Sequence, residues 1–198
     1  MTLDTLDALR ALYPPAKERA LRKQLDALDP HCRRFVAMSP FVVLASRGTD
    51  GTMDASPRGG EPGFVLAPDA HTLLLPDASG NNRLDTLENI VATGAIGMLF
   101  MLPGVDETLR VNGTARLTVD PARLALFPRA PRLVIEVRVR EAYLHCAKAL
   151  MRSKLWDAGR QVPRSALPTM GEMIKDQTRD EAPPESQAQM LARYAGDL

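Results

Sequence analysis

Two short segments of this sequence carry the residue types that hold an anion. Ser79-Gly80-Asn81-Asn82-Arg83-Leu84-Asp85-Thr86-Leu87 puts a glycine, two asparagines and an arginine at the expected start of a helix. An arginine in a first helical turn opposes the positive end of the helix dipole, and an anion placed there reverses the sign. Free backbone N–H groups beside a guanidinium that bonds two oxygens at once make a phosphate site. A plainer arrangement of the same residues stays open, with Arg83 paired to Asp85 or Glu88 on the surface and Asn81 or Asn82 capping the helix. Ser56-Pro57-Arg58-Gly59-Gly60 ends an expected strand with a hydroxyl, a guanidinium and two glycines, which let backbone approach a ligand closely. Its plainer alternative is a strand-to-loop turn with a solvated arginine. Neither segment contains a Rossmann or Walker pattern.

The other reactive side chains do not assemble into a site by spacing. His31, His71 and His145 lack metal-ligand spacing, and no serine lies in a nucleophile-elbow motif. Cys32 and Cys146 are far apart with no CxxC pattern, and are expected to be two buried, reduced thiols. No metal site is expected and no residue is assigned as catalytic. Any chemistry falls to a cofactor.

Composition narrows the partners. The chain has 198 residues, 45% of them hydrophobic and 25% charged, which suits one globular core of ordinary size. With 25 Lys+Arg against 24 Asp+Glu, the net charge of +1 provides no field to attract nucleic acid or an acidic membrane. No apolar run approaches the roughly 20 residues of a membrane-spanning helix. The start, Met1-Thr2-Leu3-Asp4, lacks the basic and apolar regions of a secretory signal, so a cytoplasmic location is expected.

The elements that must position the two segments follow from periodicity. Leu6, Leu9, Leu12 and Tyr13 predict a helix over Thr5 to Tyr13. Leu21, Leu25 and Leu28 predict another from about Pro15 to Leu28, closed by Asp29-Pro30. Phe41 to Ala45, the Gly48-Thr49-Asp50-Gly51 turn and Thr52 to Ser56 predict a hairpin. Further strands are expected at His71 to Leu75, at Ala95 to Leu102 with both faces buried, at Thr108 to Leu117 and at Leu133 to Arg140. One inserted helix is expected from about Asn82 to Ala92, and a last one around Ser186 to Tyr194. Six short strands with hairpin signals predict a mainly β (α+β) fold, an antiparallel sheet closed or nearly closed as a barrel with flanking helices.

Ordered motifs over Leu28 to Trp156 resemble the pyridoxamine 5'-phosphate oxidase-related, FMN-binding split-barrel family. They are Ser39-Pro40-Phe41, Ser56-Pro57-Arg58-Gly59 with Pro62-Gly63-Phe64, Pro76-Asp77, and Gly80-Asn81-Asn82-Arg83-Leu84-Asp85-Thr86-Leu87 with Asn89-Ile90. Pro103-Gly104, Glu107 to Gly113, His145-Cys146-Ala147-Lys148-Ala149, Arg152-Ser153 and Leu155-Trp156 complete the set. The resemblance implies an antiparallel FMN-binding split β-barrel, and a homodimer with FMN in clefts between the subunits. It implies cofactor contacts from Ser56, Arg58, Gly59, Asn81, Asn82, Arg83, Lys148, Ser153 and Trp156, with Asn82 and Arg83 gripping the phosphate. Arg110 to Gly113 resembles a strand motif lining the barrel, with a structural or a cofactor role.

Three departures qualify the likeness. Gly60 stands where related sequences commonly carry aspartate, and Ala78 where they commonly carry arginine. The Arg-Leu-His-type C-terminal segment of true pyridoxamine-phosphate oxidases is absent, so vitamin B6 oxidation is not the expected activity. The expected organisation is a helical segment 1–30, an FMN-binding barrel 31–160 and an extension 161–198 packing on the barrel or the partner subunit. The expected function is an FMN-dependent oxidoreductase acting on an unidentified small molecule. The alternatives are a non-catalytic FMN store, carrier or sensor, or the same fold holding deazaflavin or haem.

Overall fold

The computed structural model describes residues 2–196, and the outermost positions of the expected 1–30 and 161–198 segments lie outside the described residues. The chain divides into two compact units, Met1–Ser153 and Lys154–Leu198. The first holds α1 (Leu6–Arg10), α2 (Glu18–Arg22), α3 (Pro30–Met38), β1 (Phe41–Arg47), β2 (Met53–Gly59), β3 (Thr72–Pro76), α4 (Asp85–Thr93), β4 (Ala95–Met101), β5 (Thr108–Thr118), α5 (Pro121–Leu124), β6 (Val134–His145) and α6 (Lys148–Ser153).

All six expected strands form one antiparallel sheet in the order β2-β1-β4-β5-β6-β3. One face supplies a single core: Val42 and Leu44 of β1, Met98 and Phe100 of β4, Leu109 and Val111 of β5, Ile135 and Val137 of β6, and Leu73 and Leu75 of β3. α4 adds Leu87 and Ile90 to it, and α3 adds Cys32 and Val36. The sheet curls so that its two edge strands approach each other at one end, where the Arg58 guanidinium of β2 lies near enough to the Asp77 carboxyl, just past β3, to attract it. A sheet curled in this way around one core, with flanking helices, is a split β-barrel of α+β class.

Several boundaries differ from expectation for identifiable reasons. Asp29-Pro30 starts a helix instead of ending one. The Asp29 carboxylate accepts a bond from the Cys32 N–H at 2.7 Å, and Pro30 occupies the first helical position, where a missing N–H costs nothing. The expected helix from Pro15 to Leu28 shrinks to α2, since Leu25 pairs with Ala142 in antiparallel fashion and the Leu28 N–H bonds to Ala70. β2 runs through Pro57 to Gly59, because an edge strand has a side on which the missing N–H is not needed. β4 buries one face only. Ile96, Met98 and Phe100 are sealed while Gly97, Leu99 and Met101 are half-exposed. Cys146 is exposed and not buried, because it follows β6 where the chain leaves the sheet, whereas Cys32 is buried and free.

The second unit contains α7 (Met170–Thr178) and α8 (Gln187–Tyr194), which pack on each other. Both start with a capping box, Thr169 with Glu172 and Ser186 with Gln189. α8 matches the last expected helix. α7 was not anticipated, although its Thr-x-x-Glu start is a readable signal.

The Arg110-to-Gly113 motif has a steric role at its last residue. The β5–β6 register shifts at Asn112/Gly113, and a Cβ on Gly113 would stand 2.1 Å from the Arg138 carbonyl oxygen. The Gly113→Ala variant is therefore expected to lose about 2 kcal/mol or more of stability, as overpacking against rigid backbone does. Denaturant unfolding checks this, and a variant within about 0.5 kcal/mol of the parent would contradict it.

Candidate functional site

Alternation along β2 creates the first part of the site. Asp54, Ser56 and Arg58 are half-buried on one face, and Met53, Ala55, Pro57 and Gly59 are exposed on the other. The polar face meets the start of α4. Asp54 sits at the centre, where its Oδ1 accepts from Ser56 Oγ at 2.8 Å and its Oδ2 accepts from Thr86 Oγ1 at 2.5 Å and from Ser46 Oγ at 3.3 Å. Asn89 Nδ2 donates to Ser46 Oγ at 3.0 Å, and Arg58 Nη2 approaches Thr86 Oγ1 at 3.5 Å. Burial alone would raise the Asp54 carboxyl, but the three hydroxyl bonds and the nearby Arg58 charge outweigh it and hold the group below the usual carboxylate range. Asp77 goes the other way. Its burial raises it, and the attraction of Arg58 and Arg132 only partly offsets this.

The second part is the turn into α4. Asn81 Oδ1 accepts from the Arg83 N–H at 3.0 Å, and Asn82 adopts a left-handed φ of 61°. This turn delays the helix to Asp85, so Arg83 stands before the capping residue Leu84 and not inside the first turn. Leu84 offers no side-chain cap, so among the described residues no side chain caps the first N–H groups of α4. Arg83 bonds Asp85 Oδ2 through Nε and Nη2, each at 3.0 Å, so the surface pairing is the arrangement present. The Arg83 side chain is 75% exposed, and such a pair contributes at most about 1 kcal/mol. A cleft of about 380 Å³ lies here, lined by residues that include Asp54, Arg83, Asp85, Glu88 and Asn89.

Among the expected contacts, Arg58 reaches the first turn of α4 directly and Ser56 through Asp54, and the Asn81–Arg83 turn leads into that helix; Arg83 lines the cleft, whereas Ser56 and Arg58 do not. Gly59 pairs with Phe41 at the end of the same strand. Lys148 opens α6 and Ser153 closes it, with Ser153 Oγ donating to Leu150 O; among the described residues no hydrogen bond joins either to the β2–α4 cluster. Trp156 belongs to the second unit. Asp54 and Ser46 were not singled out from sequence, and Thr86 and Asn89 entered only as parts of the family motifs, with no contact assigned to them. The signal for Asp54 was the i, i+2, i+4 alternation with Ser56 and Arg58, hidden by ending the strand before Pro57. Gly60 has a packing reason, since a Cβ there would stand 2.8 Å from Phe64 Cβ, and an aspartate would displace that ring.

A separate polar group lies on β5 and β6. Lys23 Nζ and the Arg110 guanidinium stand 5.4 and 5.5 Å from the Tyr143 ring, and His145 tilts against it at 5.0 Å. Glu141 receives Gln24, Asn112 and Arg110. Among the described residues no cluster of His, Cys, Asp and Glu is placed to hold a metal, and no helix is long and apolar enough to cross a membrane.

A family model described as pyridoxamine 5'-phosphate oxidase matches residues 28–146, and the chain belongs to that family. Among solved structures, HupZ of Group A Streptococcus is 16% identical over 59% of this chain and 92% of its own, with a TM-score of 0.48. An FMN-binding protein from Syntrophomonas wolfei is 11% identical over 58% of this chain and 83% of its own, with a TM-score of 0.42. General Stress Protein 26 from Bacillus anthracis is 14% identical over 58% and 93%, with a TM-score of 0.42. No curated protein matches this chain.

His145 provides a test of the local electrostatics. Its burial, then the Lys23 and Arg110 charges, lower it from the usual 6.5. The folded state thus binds fewer protons at this ring than the unfolded chain, so its contribution is complete above the unfolded value and stability falls as pH drops through it. An NMR titration of the ring protons is expected to give a midpoint below 6.5, and a midpoint at or above it would contradict the arrangement.

Proposed function

We propose that this chain binds FMN at the β2–α4 junction and works as a flavin-dependent oxidoreductase. The feature that supports this most is a half-buried arginine, Arg58, within 3.5 Å of Thr86 in the first turn of α4, together with an exposed arginine, Arg83, just before that helix, whose start has no side-chain cap. Guanidinium and helix N–H groups together form a phosphate-binding chemistry. The acidic neighbours do not forbid it. Asp54 accepts from three hydroxyls, and Asp85 and Glu88, which also line the cleft, would share Arg83 with the phosphate or turn to solvent. Releasing Arg83 from Asp85 costs little, because the pair is exposed, and a phosphate offers the guanidinium two oxygens in its place.

The residues thus fit the cofactor as follows. Arg83, Arg58 and the first N–H groups of α4 would hold the phosphate. Gly59 leaves room for close approach, since a Cβ there would meet the Pro40 carbonyl oxygen at 3.5 Å and Phe41 Cδ2 at 4.0 Å, both ordinary contacts. Asn81 and Asn82 hold the turn that presents Arg83. Lys148, Ser153 and Trp156 would contact the cofactor from the C-terminal side of the barrel, within a homodimer that places FMN between the subunits. Bound FMN would supply hydride and electron transfer, which no side chain in the cluster offers. The protein's task is to bind, orient and shield it.

Comparing FMN with riboflavin isolates the phosphate. Arg83→Ala is expected to weaken FMN binding about tenfold or more while changing riboflavin binding little, because a charge-assisted bond contributes roughly 1.5–3 kcal/mol. Equal losses for both ligands would assign Arg83 to the fold. Turnover separates enzyme from carrier: cycling of bound FMN by a reduced nicotinamide and an oxidant supports the oxidoreductase, and stoichiometric FMN that no donor or acceptor cycles contradicts it.

A further inference from the structure

We propose that Ser56 reads a hydrogen-bond donor on the bound ligand, an imide N–H or a polyol O–H, and that Asp54 imposes this by holding the Ser56 hydroxyl proton. This rests on the reading of the β2–α4 junction as a flavin site, and it assigns Ser56 to the ring or the polyol chain instead of the phosphate.

The inference comes from counting protons. An ionised carboxylate only accepts, so each hydroxyl within bonding distance of Asp54 must donate to it. Ser46, Ser56 and Thr86 all do so, at 3.3, 2.8 and 2.5 Å. The Asp54 carboxyl is held below its usual range, so the ionised form is the one present near neutral pH. A serine or threonine hydroxyl has one proton, and once it is committed only lone pairs remain for other partners.

Two of the three hydroxyl oxygens already face a donor inside the protein. Ser46 receives Asn89 Nδ2 at 3.0 Å, and Thr86 faces Arg58 Nη2 at 3.5 Å. Among the described residues, no protein donor reaches Ser56 Oγ. Exposure separates the three in the same way, for Ser46 and Thr86 are each 2% exposed, whereas Ser56 is half-buried on an edge strand. Ser56 is therefore the one member of the network whose free lone pair a ligand can reach. A phosphate oxygen there would set lone pair against lone pair. An N–H or O–H completes the pattern already present at Ser46 and Thr86. Asp54 acts as a positioning residue, through the Ser56 hydroxyl.

Binding titrations on the full chain test this with riboflavin, FMN, lumiflavin (no polyol chain) and N3-methylriboflavin (no imide N–H). Ser56→Ala is expected to weaken riboflavin and FMN by the same factor, about tenfold, the size of one buried hydrogen bond. The loss is expected to vanish for one analogue: N3-methylriboflavin if the donor is the imide, lumiflavin if it is the polyol. Asp54→Asn also loosens the bonds to Ser46 and Thr86, so it is expected to weaken riboflavin in both backgrounds, but by a clearly smaller factor in Ser56→Ala than in the parent, the non-additivity of two residues acting partly as one unit. A purely structural role for Asp54 would give additive losses and overturn the proposal. So would a Ser56→Ala variant that weakens FMN but leaves riboflavin unchanged, or one whose loss persists with both analogues. If the parent binds none of the four flavins, the flavin site itself is refuted, a result distinct from flavin binding that ignores Ser56.

Discussion

The Asp54 carboxylate holds three elements in one arrangement. Its bonds reach Ser46 on β1, Ser56 on β2 and Thr86 in the first turn of α4. Hydrogen bonds to a charged group contribute roughly 1.5–3 kcal/mol each, and losing the partner of a buried one costs a comparable amount. The position of the α4 N-terminus over the polar face of an edge strand follows from this interaction. Arg58 and Thr86 face each other as a consequence, and so does the cleft beside Asp54 and Arg83. The exposed Arg83–Asp85 pair contributes far less. The site thus has a fixed wall on β2 and an exchangeable guanidinium at the helix start.

The curled sheet explains why such a wall stands at an edge. An edge strand has one side free of ladder bonds, so β2 can carry Pro57 within the strand and turn Asp54, Ser56 and Arg58 toward the helix. The core supports this from below: Val42, Leu44 and Ser46 of β1 lie opposite Arg58, Ser56 and Asp54 in register and are sealed from solvent. The polar network therefore borders a rigid apolar layer, where hydrogen bonds keep their direction and an unpaired group is expensive. Family membership over residues 28–146 agrees with this architecture, since the matched stretch contains the whole sheet.

β5 and β6 were legible because period-two alternation survives in them, as in Leu109, Val111 and Leu117 against Arg110, Asn112 and Arg116. β1, β3 and β4 were legible because each is a short apolar run. What failed was punctuation. Asp29-Pro30 is equally a helix end and a helix start, and only the bond from Cys32 to Asp29 decides between them. Leu21, Leu25 and Leu28 keep helical spacing, yet pairing of Leu25 with β6 overrides it, a long-range contact that no local window contains. Pro57 looked like a strand end because edge position is a property of the sheet. For the same reason the carboxylate at Asp54 went unnoticed while the arginines beside it did not. Arg83 was found for its charge, but its place before the helix follows from the left-handed Asn82, which composition does not reveal.

In the proposed reading a phosphate would meet Arg58 and Arg83, and a ring or polyol donor would meet Ser56. The most direct measurement is the absorption spectrum of the purified protein, together with the mass of whatever denaturation releases. A flavin spectrum with FMN released at about one per chain is expected. A colourless protein that takes up no added FMN would contradict the flavin site.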